Sequence, residues 1–204
     1  MTRFASLVAV AALSLGLALG LVAPTGAIGQ PVVPPSHAPG PSHVPATAYA
    51  LSFDGLMTDY IPLRAYSGKV LLVVNTASRC GFRAQLGELQ ALYTEFGPAG
   101  LVVIGVPSGD FMNQEFAAAK EIADFCQLNY GVTFPMAARS SVIGDHAHPF
   151  DRWAQAALGD SAVPRWNFHK VLVGRDGRAI AAFPTRTSPS SPEFRAAIQA
   201  ALQS

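Results

Sequence analysis

Two cysteines are the residues of this chain best suited to redox chemistry. Cys80 stands in the stretch Asn-Thr-Ala-Ser-Arg-Cys-Gly-Phe of residues 75–82, and Cys126 belongs to a later segment. The residue three places after Cys80 is Arg83, so the Cys-x-x-Cys dithiol of ordinary disulfide exchange is absent. A thiol attacks as its thiolate, of which an unperturbed cysteine holds only a few per cent at neutral pH. Cys80 therefore needs surroundings that favour the charged form.

The position of Cys80 after an apolar run suggests such surroundings. Residues 68–76, Gly-Lys-Val-Leu-Leu-Val-Val-Asn-Thr, are typical of a strand buried on both faces. Ligands of open α/β sheets bind beyond the carboxyl ends of parallel strands, and Cys80 lies just beyond that end. The adjacent Arg79 and the N-terminus of a following helix would both stabilise a thiolate. The alternative is a thiol that only fills space, since free cysteine is among the most buried residue types.

The elements that must position Cys80 form a strand–helix–strand unit. The helix is predicted by Leu86, Leu89, Tyr93 and Phe96, which share one face, and it stops at Gly97-Pro98. Residues 100–109 predict a second buried strand. Short connections between these elements imply a right-handed crossover and a parallel pair of strands.

The rest of the chain predicts three helices and a hairpin. The helices cover about residues 114–128, about residues 149–157, and a C-terminal stretch with Phe194, Ile198 and Leu202 on one stripe. The hairpin lies in residues 170–183, with Asp176-Gly177 as its turn. We therefore expect an α/β fold with a mixed central sheet and helices on both faces.

The N-terminal residues are typical of an export signal. A short positive start precedes the uncharged, apolar residues 4–23, and small residues favour cleavage after Ala27. The alternative is an uncleaved membrane anchor, because about 20 apolar residues could span a bilayer. We expect residues 1–27 to be a signal peptide, 28–48 a Pro-rich linker and 49–204 the folded domain. The protein is then periplasmic or secreted.

Composition limits the classes of partner that this protein is expected to bind. The net charge is +1, only 13% of residues are charged, and no run of like charges occurs, which argues against nucleic acid. Membrane contact is expected only if the N-terminal segment stays uncleaved, and we expect a monomer. His37 and His43 lie in the linker, and the pair His146 and His148 precedes a Pro that suits a helix start. We expect no metal at either pair and no cofactor.

Six separated motifs together resemble the glutathione peroxidase family. They are GKVLLVVNTASRCGF, VIGVPSGDFMNQE, EIADFCQLNYGVTFP, AHPF, RWNFHKVLVGRDG and the SPEF that opens the last helix. The resemblance runs from about Tyr49 to the C-terminus. It implies a thioredoxin-like fold with an inserted helix. It also implies reduction of hydrogen peroxide or organic hydroperoxides by an active-site thiolate or selenolate.

The resemblance assigns roles to individual residues. Cys80 corresponds to the peroxidatic residue, which becomes a sulfenic acid. Trp166 and Asn167 match the family's Trp-Asn pair, whose donors would lie against the sulfur. Cys126 matches the resolving cysteine of thioredoxin-dependent members, which forms a disulfide with the oxidised residue. Cys126 could instead be a core residue, or the two cysteines could form a permanent structural disulfide.

One position departs from the family pattern. Where the family has Gln, this chain has Asp110, whose negative charge would disfavour a nearby thiolate. Asp110 could be protonated, turned away, or a proton acceptor for the thiol, or it could slow the site. Asn113 or Gln114 could supply the missing amide. Ser108 replaces a cysteine common in the family.

These observations lead to a thiol-dependent peroxidase as the expected function. A thioredoxin-like dithiol protein is the expected reductant, with glutathione as the alternative. Two other functions use the same thiols: an exported peroxide sensor that passes its disulfide to a partner, and a scaffold that has lost activity through Asp110.

Overall fold

The computed structural model describes residues 44–204. The expected signal peptide and almost all of the expected linker lie outside the described residues. Within residues 44–204, no helix has both the length and the apolar character that crossing a bilayer requires.

The described chain forms six strands, four α-helices and three short 3-10 helices. The strands are β1 (Ser52–Asp54), β2 (Tyr60–Pro62), β3 (Val70–Thr76), β4 (Leu101–Pro107), β5 (Lys170–Val173) and β6 (Ala179–Phe183). The α-helices are α1 (Gln85–Phe96), α2 (Ala119–Tyr130), α3 (Pro149–Leu158) and α4 (Pro192–Gln203). The 3-10 helices are Ala48–Ala50, Leu63–Tyr66 and Gly159–Ala162.

The central sheet has four strands in the order β4-β3-β5-β6. β3 and β4 are parallel, whereas β5 is antiparallel to both β3 and β6. Every residue of β3 is buried, as the continuous apolar run predicts for a strand covered on both faces. The mixed sheet and the parallel β3–β4 pair are confirmed.

Helices cover both faces of the sheet. One face carries α1, α2 and α4, whose buried residues pack with Leu72 and Val74 of β3. The other face carries α3 and the β1–β2 hairpin, which pack with Leu71 and Val73. Alternate residues of β3 thus serve two separate cores, as the two-residue period of a strand requires.

The predicted hairpin turn is confirmed at Asp176-Gly177. The Gly177 amide donates to the Gly174 carbonyl over 2.9 Å, and the Asp176 carboxylate accepts from the Arg178 amide over 2.9 Å. Gly177 has φ +79°, a left-handed conformation that glycine adopts without strain. The turn fixes the pairing of β5 with β6.

Three expectations about the elements need correction. The helix expected from about residue 114 begins at Ala119, so residues 114–118 are not helical. On α1, Leu92 is buried and Tyr93 only half-buried, so the buried face is rotated slightly from the predicted one. The β1–β2 hairpin was not predicted, because its three-residue strands are too short to show an alternating pattern.

Candidate active site

Cys80 lies in the turns that join β3 to α1, residues 77–84, called here the Cys80 loop. Its side chain is 1% exposed. The Phe82 amide points at Cys80 Sγ with an N–S distance of 3.5 Å, and the Cys80 carbonyl accepts from the Arg83 amide over 3.0 Å. A backbone N–H directed at sulfur stabilises the thiolate over the thiol. The loop therefore supplies one donor to the sulfur by itself.

The arginine beside the cysteine contacts an aromatic ring. The Arg79 guanidinium lies 4.4 Å from the centroid of the Phe116 ring, and the Arg79 amide donates to the Gln114 carbonyl over 2.9 Å. Arg79 is exposed, so its charge acts through a screened environment. Its clearest structural role is to join the Cys80 loop to residues 114–116.

Asn75, at the end of β3, attaches this strand to the segment that carries Trp166 and Asn167. The Asn75 side chain donates to the Trp166 carbonyl over 3.2 Å and accepts from the His169 amide over 2.7 Å. Its backbone accepts from the Phe168 amide over 2.7 Å. The Trp-Asn pair is thereby held at the same end of the sheet as Cys80.

Asn167 is fully buried and contacts Gln114. Asn167 Nδ2 donates to Gln114 Oε1 over 3.0 Å, and the Asn167 carbonyl accepts from Thr185 Oγ1 over 2.7 Å. Gln114 thus contacts both the Cys80 loop, through Arg79, and Asn167. Asn113 and Gln114 were the two residues that could supply the side-chain amide missing at Asp110, and Gln114 is the one that contacts a predicted site residue. Asn113 accepts from Arg139 over 2.8 Å instead.

Trp166 is half-buried and packs against both cores. Its ring is tilted against Phe111 with 5.6 Å between the ring centroids. Phe111 belongs to the segment that also carries Asp110 and Gln114. The Trp166 ring is therefore held between the two faces of the sheet, next to the segment that follows β4.

Asp110 directs its carboxylate toward residues 141–143. Oδ2 accepts from the Val142 amide over 2.6 Å and from the Ile143 amide over 3.3 Å, and Oδ1 accepts from Ser141 Oγ over 3.2 Å. Among the alternatives considered for Asp110, this geometry corresponds to a carboxylate turned away. Burial, with a further contribution from the Asp110 charge, raises the pKa of nearby Asp151 to about 8.

Glu115 is a site residue that the sequence analysis missed. Its side chain is 3% exposed, and Oε1 accepts from the Ser78 amide over 3.1 Å and from the Phe116 amide over 2.8 Å. Burial raises the pKa of the Glu115 carboxyl, against the hydrogen bonds from Ser78 and Phe116 and the charge of Arg139. The only indication of a role for Glu115 in the sequence was its charge within the motif VIGVPSGDFMNQE, and that indication is weak.

Cys126 lies on α2, and both cysteines of the chain are free, buried thiols. Cys126 is 2% exposed and belongs to the same core cluster as Cys80. It also lines a groove of about 530 Å³ with Tyr93, Phe134 and Met136, and no residue of the Cys80 loop lines that groove. Burial, and secondly the charge of Glu115, raises the pKa of Cys126 to about 12. In this state Cys126 is a poor nucleophile.

Unpaired buried polar atoms concentrate around Cys80. Among the described residues, the buried side-chain atoms without a hydrogen-bond partner are Thr76 Oγ1, Ser78 Oγ, Gln85 Oε1, Glu115 Oε2, Asn167 Oδ1 and His169 Nε2. All of them belong to the end of β3, the Cys80 loop, the start of α1, or the segments that carry Glu115 and Asn167. Buried polar atoms are normally paired, so their concentration here supports a candidate site at this end of the sheet.

Two basic residues that follow Phe168, His169 and Lys170, are buried. Burial and the neighbouring Lys170 charge lower the pKa of His169 to about 4. Burial lowers the pKa of Lys170 to about 7, partly offset by Glu88, and Lys170 Nζ donates to the Phe168 carbonyl over 2.7 Å. His169 is therefore neutral at physiological pH, and Lys170 changes charge near it.

His148 has a structural role at the start of α3. His148 caps α3 by accepting from the Phe150 amide over 3.2 Å, and its ring stacks on Phe53 at 4.3 Å between centroids. Pro149 is the first residue of α3, as predicted. No cluster of three or more metal-ligating side chains occurs within residues 44–204. His37 and His43 lie outside the described residues.

The geometry brings Cys80, Trp166 and Asn167 to one end of the sheet and adds Gln114 and Glu115. The Phe82 N–H is directed at the Cys80 sulfur, and the Asn167 side-chain amide is directed at Gln114. A backbone donor at sulfur can stabilise a thiolate. Asp110 directs its charge to another segment, and Cys126 faces a groove beside α2.

Sequence comparisons identify the family of this chain. The glutathione peroxidase family model matches residues 48–155. A glutathione peroxidase homolog from Bacillus subtilis is 43% identical over 135 residues, covering 64% of this chain and 84% of the relative. A hydroperoxy fatty acid reductase from Synechocystis is 41% identical over 151 residues, covering 70% of this chain and 89% of the relative. A glutathione peroxidase-like peroxiredoxin from Schizosaccharomyces pombe is 42% identical over 134 residues, covering 65% and 85%.

Solved structures share the fold. The crystal structure of Trgpx in its apo form has a TM-score of 0.63 and 30% identity, covering 78% of this chain and 96% of that one. A DsbF homologue from Corynebacterium diphtheriae has a TM-score of 0.53 at 18% identity over 74% of this chain and 82% of that one, a likeness of fold alone. The fold is thioredoxin-like, as the resemblance implied. The chain belongs to the glutathione peroxidase family and is a peroxidase, an oxidoreductase of thioredoxin-like fold.

Proposed function

We propose that this peroxidase reduces hydroperoxides through the Cys80 thiolate and resolves the oxidised cysteine with Cys126. The Cys80 sulfur attacks the O–O bond, becomes a sulfenic acid and releases water or an alcohol. Cys126 then condenses with the sulfenic acid to form a disulfide and water. A dithiol protein restores both thiols by disulfide exchange, which oxidises its own two cysteines.

The single observation that carries the proposal is the position of Gln114. Its carbonyl accepts from Arg79 in the Cys80 loop, and its side chain accepts from Asn167. These two bonds bring the thiol and the Trp-Asn segment together, although nearly ninety residues separate them in the sequence. The arrangement supports a thiolate site with the Asn167–Gln114 amide pair at the same end of the sheet.

The names of the relatives support a dithiol reductant. Two relatives, from Schizosaccharomyces pombe and Chlamydomonas reinhardtii, are named glutathione peroxidase-like peroxiredoxins, and the latter is 36% identical over 156 residues. Two free thiols in one protein also suit a cycle that passes through an internal disulfide. We therefore favour a thioredoxin-type reductant over glutathione.

The relative named hydroperoxy fatty acid reductase raises a question of substrate. Phe82, Phe116 and Trp166 are partly buried and pack against the core cluster that contains Cys80, and Arg79 and Arg83 are exposed. Apolar rings next to cations suit a hydroperoxide with an apolar chain and an acid group. We propose that such substrates are accepted together with hydrogen peroxide.

Residues 1–27 support a proposal about location. Their apolar stretch and the small residues before position 28 favour export to the periplasm or beyond. N-terminal sequencing of the mature protein from a secreting host tests this, because cleavage after Ala27 predicts a new N-terminus at Ile28.

A single-turnover experiment tests the proposed chemistry. The reduced protein receives one equivalent of hydrogen peroxide, and free thiols at Cys80 and Cys126 are counted by mass spectrometry. Two thiols should become one disulfide in the parent, and Cys126→Ser should accumulate a sulfenic acid at Cys80. Cys80→Ser should not consume peroxide faster than the buffer. Consumption by Cys80→Ser at the parent's rate would overturn the proposal.

A further inference from the structure

Glu115 contacts the Cys80 loop and the segment before α2 but has no part in the chemistry described above. Its Oε1 accepts from the Ser78 amide in the Cys80 loop and from the Phe116 amide in the segment that leads into α2. Its Oε2 is buried and has no partner among the described residues. A buried carboxyl group costs free energy unless its hydrogen bonds are made, so an apolar residue would serve better here if packing were the only role.

The next residue extends the link from the Cys80 loop to α2. Phe116 lies under the Arg79 guanidinium at 4.4 Å and packs edge-on against Phe125, with 5.7 Å between ring centroids. Phe125 is the neighbour of Cys126 on α2. Arg79, Phe116 and Phe125 therefore form a continuous series of contacts from the residue before Cys80 to the residue before Cys126.

We propose that Glu115 is a positioning residue that clamps the Cys80 loop to the segment before α2 and thereby keeps Cys126 in its buried place in the reduced protein. The condensation step explains why this matters. The S–O bond of the Cys80 sulfenic acid breaks as the S–S bond forms, and the Cys126 proton leaves with the hydroxide as water. Cys126 is 2% exposed and lines a groove that no residue of the Cys80 loop lines, so this step requires α2 to move, and the clamp opposes that movement.

Few other charges act on this pair. Glu115 is the charged group that raises the pKa of Cys126 after burial, and Arg139 is the charged group that acts on Glu115. On α2 itself, the charged residues are exposed: Lys120, Glu121 and Asp124. The groove beside Cys126 also contains the ionisable side chains of Tyr60, Tyr66 and Tyr93. The effect of substituting Glu115 can therefore be assigned to one carboxylate.

The test uses the reduced protein in a Cys80→Ser background, where Cys126 is the sole thiol. The rate of Cys126 alkylation is measured at pH 9 in the parent background, Glu115→Gln and Glu121→Gln. Glu121 lies exposed on the first turn of α2, so its substitution is a matched control. We expect Glu115→Gln to react about tenfold faster than Glu121→Gln, since loosening the clamp lets α2 expose Cys126 more often. A rate within about twofold of the control would overturn the proposal.

A second measurement needs no substitution at Glu115. The Ser78 and Phe116 amide protons both hydrogen-bond to the same carboxylate, so their NMR signals should shift together with pH. We expect one shared midpoint above the ordinary range of glutamate. Independent midpoints, or no titration at either amide, would show that the clamp is absent even if Glu115→Gln fails to fold.

The inference rests on the proposed function only in its last step, and the two can fail separately. In the otherwise native chain, Glu115→Gln should form the Cys80–Cys126 disulfide faster than Glu121→Gln after one equivalent of peroxide. If the parent forms no disulfide but Cys126 alkylation still depends on Glu115, the proposed resolving role of Cys126 is wrong and the clamp stands. If the disulfide forms and alkylation is insensitive to Glu115, the clamp is wrong.

Discussion

Asn167 Nδ2 donates a hydrogen bond to Gln114 Oε1 over 3.0 Å at the carboxyl end of the sheet. The bond orients both amides, because Gln114 is also fixed through its carbonyl by the Arg79 amide. In this arrangement Gln114 contacts Asn167, whereas the carboxylate of Asp110 faces residues 141–143. The departure at position 110 therefore leaves an amide beside Asn167.

Substitution of Gln114 should slow oxidation of Cys80. Gln114→Ala leaves the buried Asn167 amide without its acceptor, while the backbone bond from Arg79 to residue 114 remains. We expect the rate of peroxide reduction in a single turnover to fall about tenfold or more, as for loss of one oriented donor in an active site. Asn113→Ala is the control, since Asn113 contacts Arg139 instead. Equal rates in the two variants would contradict the role given to Gln114.

Substitution of Asp110 should affect stability more than rate. Asp110→Asn weakens three hydrogen bonds from Ser141, Val142 and Ile143, so we expect the free energy of unfolding to fall by about 1–3 kcal/mol. Denaturant unfolding measures this loss. Asp110→Gln tests the charge directly: a faster oxidation of Cys80 than in the parent would show that the carboxylate does reach the thiolate.

Cys126 should be inert in the reduced, folded protein. Its pKa is raised from 9.0 to about 12 by burial and by Glu115, so its thiolate fraction at pH 8 is lower by about a thousandfold. We expect alkylation of Cys126 in a Cys80→Ser variant to be slower by at least that factor than in the same variant in denaturant. Comparable rates in the two conditions would mean that the thiol is accessible and ionised in the fold.

Much of the fold could be predicted because its signals are local. The apolar run of β3, the Gly97-Pro98 stop after α1 and the Asp176-Gly177 turn each depend on a few neighbouring residues. The start of α2 could not be predicted in this way. Residues 114–118 are kept out of the helix by contacts of Gln114 and Glu115 with Arg79 and Ser78, which lie far away in sequence.

The site residues likewise fall into those that local sequence reveals and those whose role depends on contacts distant in sequence. Cys80, Trp166 and Asn167 belong to motifs that the sequence displays, whereas Glu115 has a function only once Ser78 and Phe116 direct their amides at it. The direction of Asp110 was likewise open, because its partners at residues 141–143 are more than thirty positions away. Residue type gave the chemistry, and long-range hydrogen bonds decide which residues carry it out.

Lys170, a buried residue of β5, leads to a prediction about how stability depends on pH. It is fully buried, and its amine makes a single hydrogen bond, to the Phe168 carbonyl. Burial lowers its pKa from 10.5 to about 7, so the folded protein binds this proton more weakly than the unfolded chain. Above about pH 10.5, burying neutral Lys170 causes no pH-dependent loss of stability. The loss grows as the pH falls from there toward 7, because the unfolded chain takes up the proton first.

Lys170→Met removes this pH dependence while nearly keeping the volume of the side chain. The free energy of unfolding of the variant, relative to the parent, should rise by about 2–3 kcal/mol as the pH falls from 9 to 7. The lost hydrogen bond to Phe168 shifts the difference by a constant and cannot produce this slope. Lys69→Met is the control, since Lys69 is exposed. Denaturant unfolding at several pH values gives the answer: parallel stability curves for Lys170→Met and the parent would mean that Lys170 binds its proton equally well in the folded and unfolded states.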